Sequence, residues 1–387
     1  WGWFVTSMAE LLRGHAPTQG VIDEFLAFSD LHAHNFPFGA KRVVHDDPVK
    51  FPGLYNSRLM DAVRAVRHVA AYAVEHRVKT VVFGGDLFHR RSIQHTDAYN
   101  LIVHELHQMV DAGLQLVMIP GNHDYADRLG QTHALQSIRH PSIDVGSSVE
   151  LFCPGGRTSF ITVPYTDDLE EAKRRLSQAG ALAEKAPRGW PYVLLAHLGM
   201  QGATVGSDYV LVSKGDVVVA DVPYEKFNLC LFGHFHEHQR LFSNGWYIGA
   251  TTEQNWADSG GKRGFLHCKM LADGSTALQH MVIPSAPKFL NVSQDNVSTV
   301  PVPGDFVRMF VPQGVPWVVE DSELLGSFEV LVQEPVDNDK SRLTLSADQL
   351  DPERALSAWV AEHPHETLTP EALLAVGREL LRKAKGG

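Results

Sequence analysis

Cysteine is scarce in this chain. Cys153, Cys230 and Cys268 are the only three in 387 residues, an odd number at wide spacing with no Cys-x-x-Cys. That argues against a disulfide framework or a zinc ribbon, and a reducing cytoplasm fits best. Cys153 and Cys230 stand beside apolar runs and read as small buried hydrophobes. No stretch approaches the roughly 18 apolar residues of a membrane span. Internal repeats and low-complexity tracts are absent. Basic charge is not in excess either: 34 Lys and Arg face 45 Asp and Glu, a formal net charge of −11. This balance disfavours a non-specific nucleic-acid coat protein. It leaves room for an enzyme of anionic substrates, because bound cations and clefts set their own field. The amino end, Trp1 to Met8, has no basic segment before an apolar core and does not read as a secretory signal. Its native start is Met8 or lies upstream.

With 44% hydrophobic and 20% charged residues, the composition is that of a globular protein with a sizeable core. Phe25 to Phe28 reads as a short buried strand. Apolar residues every three or four positions predict a helix from about Leu54 to His76, and another spans about Thr96 to Asp111. Thr80–Phe83 and Leu116–Ile119 read as strands, so strands and helices alternate as in an α/β layered domain. From about Ser148 strands prevail, at Ser159–Val163, Tyr192–Ala196, Leu229–Phe232 and Trp246–Ile248. Such a domain can pair two sheets with helices on the outer faces. After Pro284-Ser285-Ala286-Pro287, strands at Phe306–Val311 and Phe328–Val332 suggest a smaller α+β or β unit. Asp351-Pro352 and Thr369-Pro370 each pair an N-cap residue with proline at the first helical position and open two closing helices.

Against this frame stand five blocks in fixed order: Asp30-Leu31-His32, Gly84-Gly85-Asp86-Leu87-Phe88-His89, Gly121-Asn122-His123-Asp124, Ala196-His197 and Gly233-His234-Phe235-His236. Each follows an apolar or nearly apolar run, a placement that delivers side chains from the ends of buried strands onto one locus. Asp, His and Asn are hard-to-borderline ligands. Without thiolate they do not suit structural zinc; Mn²⁺ fits best, with Fe²⁺ or Mg²⁺ as alternatives. Two such ions about 4 Å apart can share one carboxylate and hold a hydroxide that attacks phosphorus in line. Asp86, on a turn freed by Gly84-Gly85, is the natural shared carboxylate. Converged, these blocks make a hydrolase of phosphate esters.

The order Asp-x-His, Gly-Asp, Gly-Asn-His-Asp, lone His and Gly-His-x-His resembles the calcineurin-like metallophosphoesterases. Within them the chain looks like the SbcD-like DNA double-strand-break repair nucleases, a group with phage-encoded members. The resemblance spans roughly residues 25 to 270 by motif. It implies a four-layer α/β/β/α sandwich over residues 23–285, preceded by an extension at 1–22. A smaller α+β capping, DNA-binding domain at 286–348 and carboxy-terminal helices at 349–387 would follow. One metal would be held by Asp30, His32, Asp86 and His236, the other by Asp86, Asn122, His197 and His234. His123, positioned by Asp124, would stabilise the transition state or protonate the leaving oxygen. His89 matches the extra histidine after Gly-Asp in the nuclease group and would engage the substrate phosphate. Protein Ser/Thr phosphatases carry Gly-Asp-x-Val-Asp-Arg-Gly and Gly-Asn-His-Glu at these places, and this chain carries neither.

The resemblance further implies DNA as substrate, an SbcC-like ABC-type ATPase as partner for the closing helices, a homodimer, and the cytoplasm of a bacterium or phage-infected bacterium. Arg90, Arg91, Lys262 and Arg263 are candidate contacts to the phosphate backbone, or a solvated charged face. His34 and His45 read as surface residues, and Tyr125 as a packed or base-stacking loop aromatic. Two other functions compete with the nuclease. One is a non-nuclease phosphoesterase for nucleotides, cyclic nucleotides or phosphoprotein; the other is a scaffold with a relic site, which the complete ligand set disfavours.

Overall fold

The central strands are apolar over most of their length because both of their faces are covered there. A computed structural model describes residues 20–127, 132–185, 189–205, 209–210, 216–293, 301–313, 327–333, 356–357, 359–361 and 369–385. Strands β1 (Val21–Phe28), β2 (Thr80–Phe83), β3 (Gln115–Met118) and β4 (Ile143–Val145) run parallel in that order. On the far side of β1, β11 (Phe265–Leu271) and β12 (Thr276–Met281) return antiparallel and complete a six-stranded sheet. The second sheet has parallel strands β6 (Ser159–Val163), β7 (Tyr192–His197), β8 (Leu229–Gly233) and β10 (Gly245–Tyr247). Strands β5 (Glu150–Phe152) and β9 (Gln239–Phe242) close its two edges antiparallel.

The period of two sorts the strand residues between two cores. In β1 and β2, Leu26, Phe28, Val81 and Phe83 face helices α1 (Ser57–Glu75) and α2 (Thr96–Asp111). Their neighbours Phe25, Ala27 and Val82 face the other sheet, against Val193 and Leu195 of β7 and Leu229 and Leu231 of β8. The remaining face of the second sheet, including Leu194, Ala196 and Phe232, packs on α3 (Leu169–Lys185). The architecture is therefore α/β/β/α, as expected.

Three details differ from the sequence reading. Helix α3 lies where only strands were expected. Its buried stripe is Ala172, Leu176, Ala179, Gly180 and Ala183, set in a segment that is otherwise mostly charged and polar. Helix α1 starts at Ser57 rather than about Leu54, because the Asn56 side chain accepts the N–H groups of Arg58 and Leu59 and caps it. Residues Leu54–Asn56 instead pair with Arg42–Val44 in a small hairpin. Cys153 is exposed, since it follows edge strand β5; Cys230 and Cys268 are buried.

The chain divides into two compact units, residues 1–311 with 317–331, and residues 312–316 with 332–387. The first ends in a three-stranded sheet of β13 (Phe289–Ser293), β14 (Phe306–Pro312) and β15 (Ser327–Gln333), with Val292 and Val307 in a small core of its own. In the second, α4 (Pro370–Lys385) carries Gly377, where an added Cβ would meet the Leu356 side chain at 2.6 Å. Residues 1–19 of the expected extension lie outside the described residues. So do 294–300, 314–326 and 334–348 of the expected capping domain, and 349–355 of the expected carboxy-terminal helices with the Asp351-Pro352 helix start. No helix among the described residues is long and apolar enough to cross a membrane.

One buried histidine of this frame makes its stability pH-dependent. His133 Nε2 meets Ser147 Oγ at 2.9 Å, while its buried Nδ1 has no partner. Burial pulls its pKa down to about 4. An unfolded chain takes up this proton near 6.5 and the folded one near 4, so acid favours unfolding across that window. The contribution is complete above pH 6.5 and disappears as the pH falls toward 4. Urea midpoints measured at pH 6.5 and 4.5 should therefore drop less in His133→Asn than in the parent; an equal drop would refute the assignment.

Candidate metal centre

Asp30 follows β1, Asp86 follows β2, Asn122 follows β3, and His197 and His234 stand at the ends of β7 and β8. All five therefore emerge at the carboxyl ends of parallel strands, three from one sheet and two from the other. Past the strand ends the first two loops stay zipped together. Asp30 N–H donates to Gly85 O, His32 N–H to Asp86 O and Ala33 N–H to Leu87 O, each at 2.9 Å. Among the described residues, five non-glycines have positive φ: Asp30 (50°), His32 (47°), Asp86 (59°), His234 (109°) and Arg77 (59°). Four of these are candidate ligands. Such backbones cost about 1–3 kcal/mol each and persist where the surroundings over-determine them.

Glycine makes room for the convergence. Gly85 has φ of 105°, and a Cβ there would lie 2.3 Å from His197 Nδ1. At Gly121 a Cβ would lie 2.2 Å from Asp86 Oδ1.

Asp86 joins the two halves of the site. Its Oδ1 accepts the His123 N–H at 2.7 Å. Its Oδ2 lies 3.6 Å from His32 Nε2 and also 3.6 Å from His197 Nε2. On one side, His32 Nε2 faces His236 Nε2 at 3.1 Å and Asp30 Oδ1 at 4.0 Å. On the other, the inward atom of the Asn122 amide lies 3.1 Å from His197 Nε2, 3.0 Å from His234 Nδ1 and 3.2 Å from Asp86 Oδ2. All seven expected ligands are thus brought together, in two sets that meet at Asp86.

The tautomers show what this set is built to hold. His197 Nδ1 lies 2.7 Å from the Gly84 carbonyl, which can only accept, so Nδ1 carries the proton and Nε2 presents a lone pair inward. His236 Nδ1–H likewise donates to Asp258 at 3.0 Å, leaving Nε2 bare. Burial holds His32 and His197 well below their ordinary pKa, and His234 at about 4. Burial also raises Asp30 to about 6, and raises Asp86 through its neighbours Asp30 and Asp124 as well. His236 shifts the other way, because the Asp258 carboxylate outweighs its burial and favours the charged ring. Three neutral imidazoles and the crowded carboxylates thus gather inward donors that divalent cations would satisfy, displacing the proton from His236. The residues fit two ions.

Four expectations need correction here, for Asp124, Arg263, His34 and His45. Asp124 does not orient the His123 ring. Its carboxylate accepts the N–H groups of Asp86 (2.8 Å), Leu87 (3.2 Å), Phe88 (3.1 Å) and Gly121 (2.9 Å), so it positions the loop that bears Asp86. The His123 ring is held by its Nδ1–H donating to the His89 carbonyl at 2.6 Å. Arg263 is not a surface cation: it is buried and paired with Glu237 (2.7 Å) and Asp258 (3.3 Å). His34 and His45 are buried rather than exposed. His34 stacks on Phe36 at 4.3 Å, and His45 receives Arg67 at 3.2 Å. Tyr125 is packed, edge-on to His133.

The sequence reading missed Asp258, which holds His236, and Tyr165, whose ring lies 6.0 Å from that of His234. Neither has a motif spacing; Asp258 is the last residue of a short 3₁₀ turn capped by Asn255, and only the folded chain brings it to His236.

Comparison with known proteins agrees with this picture at the level of family. The description that matches, calcineurin-like phosphoesterase, covers residues 24–238, and the chain belongs to that family. It is thereby a metal-dependent phosphoester hydrolase of a family that uses two divalent ions. Comparison with curated proteins returned no match. Among solved structures, a dimetal phosphatase from Danio rerio is 12% identical, covering 64% of this chain and 93% of that one, with a TM-score of 0.39. GAP50, the anchor in the inner membrane complex of Plasmodium, is 12% identical over 68% and 85%, with 0.43. The phosphopantetheinyl hydrolase of Mycobacterium tuberculosis is 13% identical over 60% and 91%, with 0.32. At that distance the likenesses say nothing about substrate.

Two measurements probe the centre. Asp258→Asn should weaken Mn²⁺ binding about 10- to 100-fold, since the partner that fixes the His236 tautomer is lost; unchanged affinity in a metal titration would remove Asp258 from the site. Parent affinity should also fall with pH. Burial leaves Asp30 protonated below about 6, and each proton displaced by metal weakens apparent binding about tenfold per pH unit. A titration series from pH 7.5 to 5 with flat affinity would contradict the raised carboxylate.

Proposed function

We propose that this chain is a metal-dependent DNA nuclease of the SbcD-like kind, cutting phosphodiester bonds exonucleolytically and also endonucleolytically in repair or recombination. His89 carries the reading. Its ring lies 5.1 Å from that of His123 and 5.2 Å from that of His32, and its carbonyl holds the His123 proton. Its Nδ1 is buried without a hydrogen-bond partner, so the ring is not consumed by the protein. An extra imidazole beside the transition-state histidine is what separates the nuclease motif from that of the protein phosphatases.

Asp30, His32, Asp86 and His236 would hold one ion, and Asp86, Asn122, His197 and His234 the other, with Mn²⁺ the best match. Bound there, the ions polarise the phosphoryl oxygens and acidify water. His123 is anchored by its Nδ1–H on the His89 carbonyl, so its Nε2 would have to bind a second proton before it could stabilise the phosphoryl oxygens or protonate the leaving oxygen. Burial, which lowers its pKa, makes that proton one it gives up readily. His89 closes the wall beside it, backed by Phe36 at 4.8 Å and His34 at 5.7 Å. Helix α4 is where an SbcC-like ATPase would dock.

End-labelled duplex and single-stranded DNA with Mn²⁺ test the assignment. The parent should degrade both or either, Asp86→Ala should be inactive, and His123→Ala should lose at least about 100-fold. Hydrolysis of p-nitrophenyl phosphate or a cyclic nucleotide with intact DNA would place the chain among the non-nuclease phosphoesterases instead.

A further inference from the structure

The histidines of the site are not all held in the same way. His197 and His236 each donate their second ring N–H to a fixed acceptor, the Gly84 carbonyl and Asp258. His32 does not: its Nδ1 is buried and has no hydrogen-bond partner among the described residues. A ring without an outer partner is aimed by its backbone, and the backbone at His32 has φ of 47°, where a non-glycine needs support. Two hydrogen bonds supply it. The His32 N–H donates to Asp86 O, and on the preceding peptide Leu31 O accepts Gln254 Nε2–H at 3.2 Å.

Gln254 is tied in several directions. Its Nε2 also donates to Thr252 Oγ1 at 2.8 Å, which settles the amide orientation and leaves Oε1 to accept. His34 Nδ1 accepts the Phe36 N–H at 3.1 Å, so the proton is on Nε2, and that N–H donates to the Gln254 side chain. The Gln254 backbone N–H donates to Asp258 Oδ2 at 2.8 Å, the carboxylate that holds His236. Its carbonyl accepts Arg58 Nη2 at 2.7 Å, and that guanidinium lies over the rings of Phe289 at 5.7 Å and Phe306 at 5.3 Å. None of these bonds goes to Asn122, His197 or His234.

We infer that Gln254 is a positioning residue for one ion alone, the one that Asp30, His32, Asp86 and His236 would hold. Its side chain fixes the peptide that aims His32, and its backbone fixes the carboxylate that aims His236. One residue thereby sets how the two imidazoles converge, with Nε2 atoms 3.1 Å apart. A neutral amide suits this junction because it donates to a carbonyl and accepts from an imidazole at once. A carboxylate could only accept there, and an ammonium could only donate. The inference rests on the two-ion reading of the site and is independent of which phosphate ester is cleaved.

The test titrates Mn²⁺ into the full-length chain in two backgrounds. His197→Ala leaves the set of Asp30, His32, Asp86 and His236 complete, and His236→Ala leaves that of Asp86, Asn122, His197 and His234 complete. Gln254→Met keeps the length of the side chain and removes both of its hydrogen-bonding groups. Added to the first background it should weaken Mn²⁺ binding about 10- to 100-fold, and added to the second less than about twofold. Gln254→Glu keeps the acceptor for His34 but has no donor for Leu31, and it should weaken the first background to a similar degree. Equal weakening in the two backgrounds overturns the inference, because a general loss of packing acts on both sets. Undiminished affinity of either Gln254 variant in the first background overturns it as well. The readout is metal binding, so a parent that holds two ions and leaves DNA intact defeats the nuclease reading and leaves Gln254 in place.

Discussion

Asp86 has two oxygens with two different duties, and the rest of the site is arranged so that both can be met. Oδ1 is fixed by a backbone N–H, while Oδ2 stands midway between an imidazole of each ligand set. To put it there, the backbone at Asp86 takes a positive φ, Gly121 yields the space of a side chain, and Asp124 ties four N–H groups around the loop. Burial pushes the Asp124 carboxyl up to about 7 even against those four bonds, so it too leans on nearby positive charge to stay ionised. The strain, the glycines and the buried acid thus have one common cause. A carboxylate oxygen must be held where two cations can share it.

A site assembled from two sheets also needs the sheets to be locked together. The inter-sheet core of Phe25, Val82, Val193, Leu195, Leu229 and Leu231 sits directly behind the ligand loops. A close-packed layer resists compression, so the spacing of Asp30, Asp86 and Asn122 from His197 and His234 is set by side-chain volume rather than by loop length. Two further contacts stitch the sheets at the site itself: His197 Nδ1–H to the Gly84 carbonyl, and the His234 N–H to Asp30. The same hydrogen bond that joins the halves chooses the tautomer that a metal needs.

Most of this was legible in the sequence because the ligand blocks sit next to the chain's plainest signals. Thr80–Phe83 followed by Gly84-Gly85-Asp86 is an apolar run, a break and a carboxylate, and local chemistry decides all three. What was hidden depends on partners distant in sequence. Asp258 is known by the ring it holds, not by its neighbours. Arg263 looked like a surface cation because nothing in Lys262-Arg263-Gly264 announces that Glu237 and Asp258 fold over it. His34 reads as polar, yet Phe36 and the His89 wall enclose it. Helix α3 escaped because its small apolar face is embedded in a segment dense with Glu, Lys and Arg, which reads as polar overall.

The metal core by itself does not choose among phosphate esters, since Lewis acidity acts on any phosphoryl oxygen. Selection has to lie in the walls, and they are chemically unequal. One wall is aromatic and imidazole-rich: His34 and Phe36 pack on His89, His89 lies against His123, and Arg90 lies over Phe36. The other presents Tyr165 beside His234 and the exposed guanidinium of Arg91. A small dianion needs only the second wall. A chain of nucleotides, with a phosphate on either side of the scissile one and a base to set against a ring, can use both. Under the proposed nuclease reading, a net charge of −11 would repel such a chain, so cations at the mouth of the site would have to carry more of the recognition than their number suggests.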